Sequence, residues 1–147
     1  MQIKQSAEAT WSGPVLEGSG KVGTQSNVLN ETKFSFVSRT KEKVSDQTNP
    51  EELIAAAHSS CYSMYLSLLV TQKGYYIKNL TTTASVKLKQ SYDDLAIEEI
   101  NLSVTASIPD ITAEEFAELA EVSKFKCPVS KALAVVPIIL TEVNLEP

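Results

Sequence analysis

Residues 49–71 constrain the fold of this chain more than any other stretch, because they predict one long helix with a cysteine in its middle. The segment reads NPEELIAAAHSSCYSMYLSLLVT. Asn49 can cap this helix, Pro50 suits its first position, and Glu52 can complete a capping box. The side chains are apolar or small almost all round, which is typical of a helix buried in a core. Gly74 then provides a natural end to the helix.

One side of this helix carries only small side chains. They recur at i, i+4 spacing and therefore share a face: Ala55, Ser59, Ser63 and Ser67. Small side chains allow another backbone to come close. The pattern therefore predicts close packing of a second element here, including a second copy of the same helix in a dimer.

The composition limits the classes of partner and compartment. A chain of 147 residues predicts a single domain over residues 1–147. The net charge of −5 and the lack of a basic cluster argue against a nucleic acid or an anionic membrane as partner. The N-terminal segment lacks the apolar core of a signal peptide, and no run of about 18 apolar residues free of polar side chains predicts a membrane span. We therefore expect a cytoplasmic protein with reduced, catalytic or metal-bound cysteines.

The remaining pattern predicts an α+β fold with antiparallel sheets around the long buried helix, in the order βββ-α-ββ-α-β. Arg39 closes the third strand, and a polar, mobile loop follows at residues 40–48. Pro137 lies inside the last strand, which indicates an edge or a bulge. The predicted strands cover residues 1–11, 21–24, 33–38, 80–90, 97–108 and 134–144, and further helices cover residues 112–124 and 127–132.

Cys61 is the first candidate for chemistry. A cysteine on an apolar helix face is most often a small core residue. A nucleophilic cysteine acts through its thiolate, and the helix dipole cannot stabilise a thiolate this far from the first turn. A cation must therefore reach it. Arg39 is the candidate cation, with Glu51 or Glu52 as the carboxylate that a buried arginine needs.

His58 offers two other interpretations. It precedes Cys61 by three residues, so the two side chains are neighbours on the helix. A Cys–His pair would suggest acyl transfer or proteolysis, although no orienting group accompanies it. Zinc held by His58, Cys61 and Cys127 would still need a fourth ligand. A helix histidine with hydrogen-bonded nitrogens is the structural alternative.

Three segments carry a resemblance to a known family: NPEELIAAAHSSCYSM, the SRT tripeptide before it and FKCPVSKAL after it. The chain resembles, over nearly its whole length, the osmotically inducible protein C and organic hydroperoxide resistance (OsmC/Ohr) family, and its N-terminal segment resembles the OsmC branch. By this resemblance, Cys61 matches the peroxidatic cysteine and Cys127 the resolving one. Arg39 matches the arginine that activates the thiolate, and Glu51 matches the glutamate that orients Arg39. Tyr62 stands where the family commonly has phenylalanine, so we expect the polarity of the pocket to differ from that of the family.

The resemblance implies a thiol peroxidase without a metal or other cofactor, built as an intertwined homodimer. Organic hydroperoxides, and more weakly hydrogen peroxide, would be reduced through a sulfenic acid on Cys61 and a disulfide between Cys61 and Cys127. An external dithiol, for which the resemblance implies a dihydrolipoyl protein, would then reduce the disulfide. The alternative is a non-catalytic stress-related or small-ligand-binding protein of the same fold.

Helix geometry adds an expectation about where the site is assembled. Glu51 and Cys61 are ten residues apart on one helix, which corresponds to a rise of about 15 Å and roughly 80° around the axis. One arginine cannot comfortably pair with Glu51 and also reach Cys61 of the same helix. We therefore expect Arg39 or Glu51 to reach Cys61 from the partner chain of a homodimer.

Overall fold

The computed structural model describes residues 1–42 and 44–147, and these form the predicted α+β fold. The chain divides into two compact units, Met1–Leu53 and Ile54–Pro147. The elements in chain order are β1 (Ala7–Ser12), β2 (Ser19–Thr24), β3 (Thr32–Phe34), α1 (Phe36–Thr40), α2 (Pro50–Gln72), β4 (Asn79–Gln90), β5 (Leu95–Ser107), α3 (Ala113–Lys126), α4 (Pro128–Ala132) and β6 (Ile138–Glu146). The predicted loop 40–48 includes Lys43, which lies outside the described residues.

The N-terminal unit is built on an antiparallel sheet in the order β1-β2-β3. The Trp11 ring packs against the Phe34 ring with centroids 5.7 Å apart and the planes tilted by 39°. Gly20 is paired with Phe34 across the sheet, and a side chain on Gly20 would collide with the Phe34 ring. A glycine at this position is therefore what lets the two aromatic rings meet.

The prediction that the third strand continues to residue 38 is wrong, because the strand ends at Phe34 and the chain turns there into the short helix α1. Ser35 caps this helix: its hydroxyl accepts a hydrogen bond from the Ser38 backbone at 3.1 Å, and the Ser38 hydroxyl accepts one from the Ser35 backbone at 3.0 Å. This reciprocal pair is a capping box, and it outweighs the period-two alternation of the segment. Arg39 therefore lies in the last turn of a helix instead of at the end of a strand.

Helix α2 begins and ends as predicted. The Asn49 side chain accepts a hydrogen bond from the Glu52 backbone at 2.8 Å. The Glu52 carboxylate accepts a hydrogen bond from the Thr48 hydroxyl at 3.1 Å, so it does not complete the predicted capping box on Asn49. After the helix, Gly74 has a φ of +87°, a backbone conformation that favours glycine.

The C-terminal unit contains a sheet in the order β4-β5-β6. Strands β4 and β5 form the predicted antiparallel hairpin, whereas β6 pairs in parallel with β5. Pro137 lies just before β6 instead of inside it, and its carbonyl accepts a hydrogen bond from Ile100. Strand β6 is an edge strand of this sheet, as the proline indicated. The buried face of this sheet and the helices beside it form a core that includes Tyr62, Leu66, Val70, Leu102, Val104, Phe116 and Cys127.

Helix α2 is not buried all round in the single chain. Met64 and Leu68 are 68% and 49% exposed, and they lie on a stripe that also includes Ala57 and Ser60. The predicted lane of small residues is half-buried, and its Ser63 donates a hydrogen bond to Thr82 of β4 at 2.8 Å. The face of α2 left open to a second chain is therefore the Met64–Leu68 stripe and not that lane.

Helix α2 is long and apolar enough to cross a membrane by length and composition alone, although the sequence pattern predicted no membrane span. Core helices of globular proteins satisfy the same criteria. Polar groups on this helix hydrogen-bond within the chain, as His58 does with Ser130 and Tyr62 does with the Ala120 carbonyl. We therefore describe α2 as the core helix of the C-terminal unit.

Candidate active site

An ion pair between Arg39 and Glu51 lies in the N-terminal unit. Nε and Nη2 of Arg39 donate hydrogen bonds to Oε1 of Glu51 at 2.9 and 2.7 Å. The Glu51 side chain is 9% exposed and the Arg39 side chain 32%, so the carboxylate is the more deeply buried partner. Of the two carboxylates considered from the sequence, Glu51 is the one that holds Arg39.

The segment around Arg39 is held by hydrogen bonds between α1 and the start of α2. The Ser38 hydroxyl donates to the Thr48 carbonyl at 2.8 Å, and the Asn49 side chain donates to the Ser38 carbonyl at 3.0 Å. These bonds connect the residue before Arg39 with the two residues before Pro50. The backbone on both sides of the ion pair is therefore fixed.

A largely apolar cavity of about 180 Å³ lies beside the ion pair in the same unit. Aromatic rings and a proline form most of its wall, and Arg39 contributes to it. The lining residues are Trp11, Val15, Phe34, Ser35, Phe36, Arg39 and Pro50. The cavity can therefore take a small apolar group next to a cationic side chain.

Cys61 lies on α2 in the C-terminal unit as a half-buried free thiol. Burial raises the pKa of the Cys61 thiol, and a hydrogen bond from the Val129 backbone acts in the opposite direction. The neighbouring Cys127 side chain raises the pKa further. Within the described part of this unit no cation stabilises the thiolate, so the environment favours the neutral thiol.

Cys127 is fully buried and caps the short helix α4. Its sulfur accepts a hydrogen bond from the Ser130 backbone at 3.3 Å, as a serine or aspartate oxygen does in an ordinary cap. Both thiols are free, and Cys61 packs against the core cluster that contains Cys127. The fold thus brings together two cysteines that are far apart in the sequence.

His58 does not act as the partner of Cys61 that the sequence suggested as a rival activator. Its Nε2 forms a hydrogen bond with the Ser130 hydroxyl at 2.7 Å, and the ring is fully buried. Sequence reasoning missed Ser130, although it occupies the third helical position after the Cys127 cap. Within residues 1–42 and 44–147 no group of three or more histidine, cysteine, aspartate or glutamate side chains could hold a metal ion, which leaves the zinc alternative without support.

Tyr62 was expected to alter the polarity of the pocket. Its hydroxyl instead donates a hydrogen bond to the Ala120 carbonyl at 2.9 Å inside the core. Burial raises the pKa of this phenol well above its ordinary value, so the group stays neutral. The tyrosine is therefore accommodated as a core residue with a satisfied hydroxyl.

Comparison with known proteins identifies the relatives of this chain. The family model described as OsmC-like protein matches residues 42–141. The chain is 38% identical over 133 residues to a protein of Escherichia coli named peroxiredoxin OsmC. The match covers 90% of this chain and 92% of that protein. Cys61 and Cys127 both lie within the residues that the family model matches.

Solved structures share the fold. An OsmC-like protein of Mycoplasma pneumoniae superposes with a TM-score of 0.75 at 17% identity, covering 100% of both chains. An organic hydroperoxide resistance protein of Elizabethkingia anophelis, solved with thiocyanate bound, gives a TM-score of 0.71 at 26% identity and covers 99% of this chain and 100% of that one. The family model and the Escherichia coli relative show that the chain belongs to the OsmC-like family.

Proposed function

We propose that this protein is a cysteine-based thiol peroxidase that reduces organic hydroperoxides. The observation that carries the proposal is the pair of free thiols, one half-buried on α2 and one fully buried beside it. The names of two relatives support it, since one is called a peroxiredoxin and another an organic hydroperoxide resistance protein. Cys61 is the more accessible thiol, and we assign it the first reaction with peroxide.

The reaction has three steps. The Cys61 thiolate attacks the peroxide, an S–O bond forms as the O–O bond breaks, and the alcohol leaves with a proton. Cys127 then attacks the resulting sulfenic acid, forming a disulfide and releasing water. An external dithiol, such as a dihydrolipoyl group, reduces the disulfide and returns both thiols. This last step needs a reducing compartment, for which we propose the cytoplasm.

Activation of Cys61 requires a cation, because the surroundings of the thiol in its own unit raise its pKa. Arg39 is the cation we propose, oriented by its two hydrogen bonds to Glu51. Beside a thiolate it would lower the pKa of the thiol and stabilise the charge that develops on the peroxide oxygens. A planar guanidinium can do this while it remains bound to a carboxylate, which a lysine cannot.

We further propose that Arg39 acts on Cys61 of a partner chain in a homodimer. Ten residues of helix separate Glu51 from Cys61, a rise of about 15 Å. Met64 and Leu68 expose apolar surface on α2 close to Cys61, as expected of a helix that a second copy covers. The Glu51 Oε2 atom is buried and has no hydrogen-bond partner among the described residues, so the ion pair has room for a further donor.

The apolar cavity beside Arg39 supports a preference for peroxides with apolar groups. Each methylene transferred from water into such a wall contributes about 0.8 kcal/mol. Hydrogen peroxide cannot gain this term. We therefore expect kcat/KM for cumene hydroperoxide to exceed that for hydrogen peroxide by about a hundredfold or more.

Peroxide consumption with dihydrolipoamide as reductant tests the proposed activity. The wild type should consume cumene hydroperoxide catalytically, and Cys61→Ser should not. Cys127→Ser should react once and then stall, because its sulfenic acid has no internal thiol to condense with. Equal background rates for the wild type and Cys61→Ser would favour the second candidate, a small-ligand-binding protein that uses the same cavity.

Subunit mixing tests whether Arg39 crosses between chains. Inactive Cys61→Ser and inactive Arg39→Ala proteins are mixed under conditions that allow exchange. If the arginine crosses, each mixed dimer has one site with both defects and one intact site, so activity returns. If it acts within its own chain, every site keeps one defect and no activity returns. A fully active monomer would also contradict the shared site.

A further inference from the structure

Three buried side chains form a continuous hydrogen-bonded line in the C-terminal unit. Nε2 of His58 lies 2.7 Å from Oγ of Ser130, and Oγ of Ser130 lies 3.1 Å from Sγ of Cys127. His58 and Cys127 are fully buried, and Ser130 is 2% exposed. The line thus runs from the proposed resolving cysteine to an imidazole that has no other assigned role.

The local sequence explains how Ser130 comes to face Cys127. Cys127 is the N-cap of α4 and Ser130 is the third residue of that helix, so the cap brings the backbone and the hydroxyl of Ser130 to the sulfur. His58 reaches the same hydroxyl from α2. A serine hydroxyl can accept a proton on one side while it donates its own on the other, as a relay requires.

His58 is suited to accept a proton rather than to supply a permanent charge. Burial lowers the pKa of His58, so the ring is neutral at neutral pH. Its Nδ1 atom is buried and has no hydrogen-bond partner among residues 1–42 and 44–147, so no second bond fixes which nitrogen carries the proton. Nε2 can therefore either accept from Ser130 or donate to it.

The titratable groups around this line come from three elements. Cys61 and Tyr62 lie beside His58 on α2, and Cys127 begins α4. From α3, Glu121 acts on the Tyr62 phenol, and Lys124 lines one cavity together with Ser130. Lys124 is paired with Glu121.

We propose that Ser130 and His58 relay the thiol proton of Cys127 while Cys127 closes the disulfide with Cys61. The inference rests on the proposed peroxidase function and deepens its second step. Sγ of Cys127 attacks Sγ of Cys61, the S–S bond forms and the S–O bond breaks. The hydroxide released takes a proton from solvent and becomes water.

The proton and electron balance of this step is complete. The Cys127 proton moves to Oγ of Ser130 as the proton of Ser130 moves to Nε2 of His58. The Cys127 sulfur is oxidised and the sulfenic acid is reduced. When the external dithiol attacks the disulfide at Cys61, Cys127 leaves as a thiolate and recovers its proton by the same route. Ser130 touches the reacting sulfur, and His58 acts through Ser130 as a positioning residue.

Rapid mixing with one equivalent of cumene hydroperoxide separates the two oxidation steps. Peroxide loss reports sulfenic acid formation, and alkylation of the remaining thiols after acid quench reports disulfide closure. In Ser130→Ala and His58→Gln we expect unchanged peroxide loss at neutral pH and closure slowed by about a hundredfold. Ser130→Thr retains the hydroxyl and should restore closure. Tyr62→Phe, which removes another buried hydrogen bond of α2, is the matched control and should leave both steps unchanged.

The pH profile distinguishes a relay from a structural role. Without the relay, a base from solvent must take the Cys127 proton, so the rate of disulfide closure in the variants should rise more steeply with pH than it does in the wild type. If disulfide closure in the variants is slower than in the wild type by the same factor at every pH, or is not slower at all, the relay is refuted. If His58→Gln does not fold, as judged by circular dichroism, the Ser130 variants decide. If the wild type neither consumes peroxide nor forms the disulfide, the peroxidase function itself is refuted.

Discussion

Removing Arg39 should destabilise the N-terminal unit because it leaves the Glu51 carboxylate buried without its cation. The variants are Arg39→Ala and Glu51→Gln, each made alone, and the double variant that carries both changes. The carboxylate is 9% exposed and accepts both guanidinium hydrogen bonds on one oxygen. Its other oxygen has no partner among the described residues that could compensate for the loss.

The size of the effect follows from burial. Breaking a fully buried pair costs about 3–5 kcal/mol, whereas exposed pairs contribute about 0–1 kcal/mol. The Arg39 side chain is 32% exposed, so water can solvate part of the site once the guanidinium is gone. We expect Arg39→Ala to lower the free energy of unfolding by about 2–3 kcal/mol. The double variant has no buried charge and should be more stable than Arg39→Ala by about 1 kcal/mol.

Urea denaturation followed by tryptophan fluorescence measures these values. Trp11 is the only tryptophan and packs on Phe34 in the same unit, so its emission reports this part of the chain. Lys21→Ala is the matched control, because its pair with Glu31 is exposed on both sides, at 50% and 71%, and should contribute little to stability.

Two results would refute this reasoning about the ion pair. One is an Arg39→Ala protein as stable as the Lys21→Ala control. The other is a double variant less stable than Arg39→Ala by the full cost of Glu51→Gln, because additive effects would mean that the two side chains do not interact. All variants are compared at one protein concentration, since dimer formation would add a term that depends on it.

Three further predictions concern packing and pH. Gly20→Ala should lower the free energy of unfolding by about 1–3 kcal/mol, because its Cβ would collide with the Phe34 ring and lie 2.6 Å from a backbone oxygen. The control is Gly23→Ala, whose Cβ meets only a contact at 3.5 Å and should cost much less. Thermal unfolding compares the two variants. Tyr62→Phe should cost about 1 kcal/mol in urea denaturation, since it removes a buried hydrogen bond to the Ala120 carbonyl, and an unchanged midpoint would contradict this. Burial lowers the pKa of His58 from 6.5, so below this pH the unfolded chain binds a proton that the folded chain does not. The free energy of unfolding should therefore fall as the pH drops below 6.5. His58→Gln should remove this contribution to the dependence of stability on pH.

Local signals in the sequence predicted much of the fold. Asn49 and Pro50 fixed the start of α2, Gly74 fixed its end, and Thr112 fixed the start of α3. These positions act through hydrogen bonds and backbone angles within a few residues, so no knowledge of the fold is needed. The long hairpin of β4 and β5 was predictable for the same reason, because a short turn joins two alternating strands.

Features decided by competing or distant interactions were not predictable. Helix α1 was missed because alternation suggested a strand, although Ser35 and Ser38 carry the signal of a capping box. The parallel pairing of β6 depends on how the chain returns over the sheet, which periodicity does not encode.

The candidate site shows the same division. Arg39, Glu51 and both cysteines were identified from the sequence by resemblance, and their roles stay predictions. The contact between His58 and Ser130 joins positions 72 residues apart, so no local pattern reveals it.

Stoichiometric oxidation tests whether Cys61 and Cys127 form a redox pair. The fully reduced protein receives one equivalent of cumene hydroperoxide without reductant, and free thiols and intact mass are then measured. We expect loss of both thiols, a mass lower by two hydrogens, and a peptide crosslink between Cys61 and Cys127 within one chain. Retention of both thiols, or a crosslink only between chains, would contradict it.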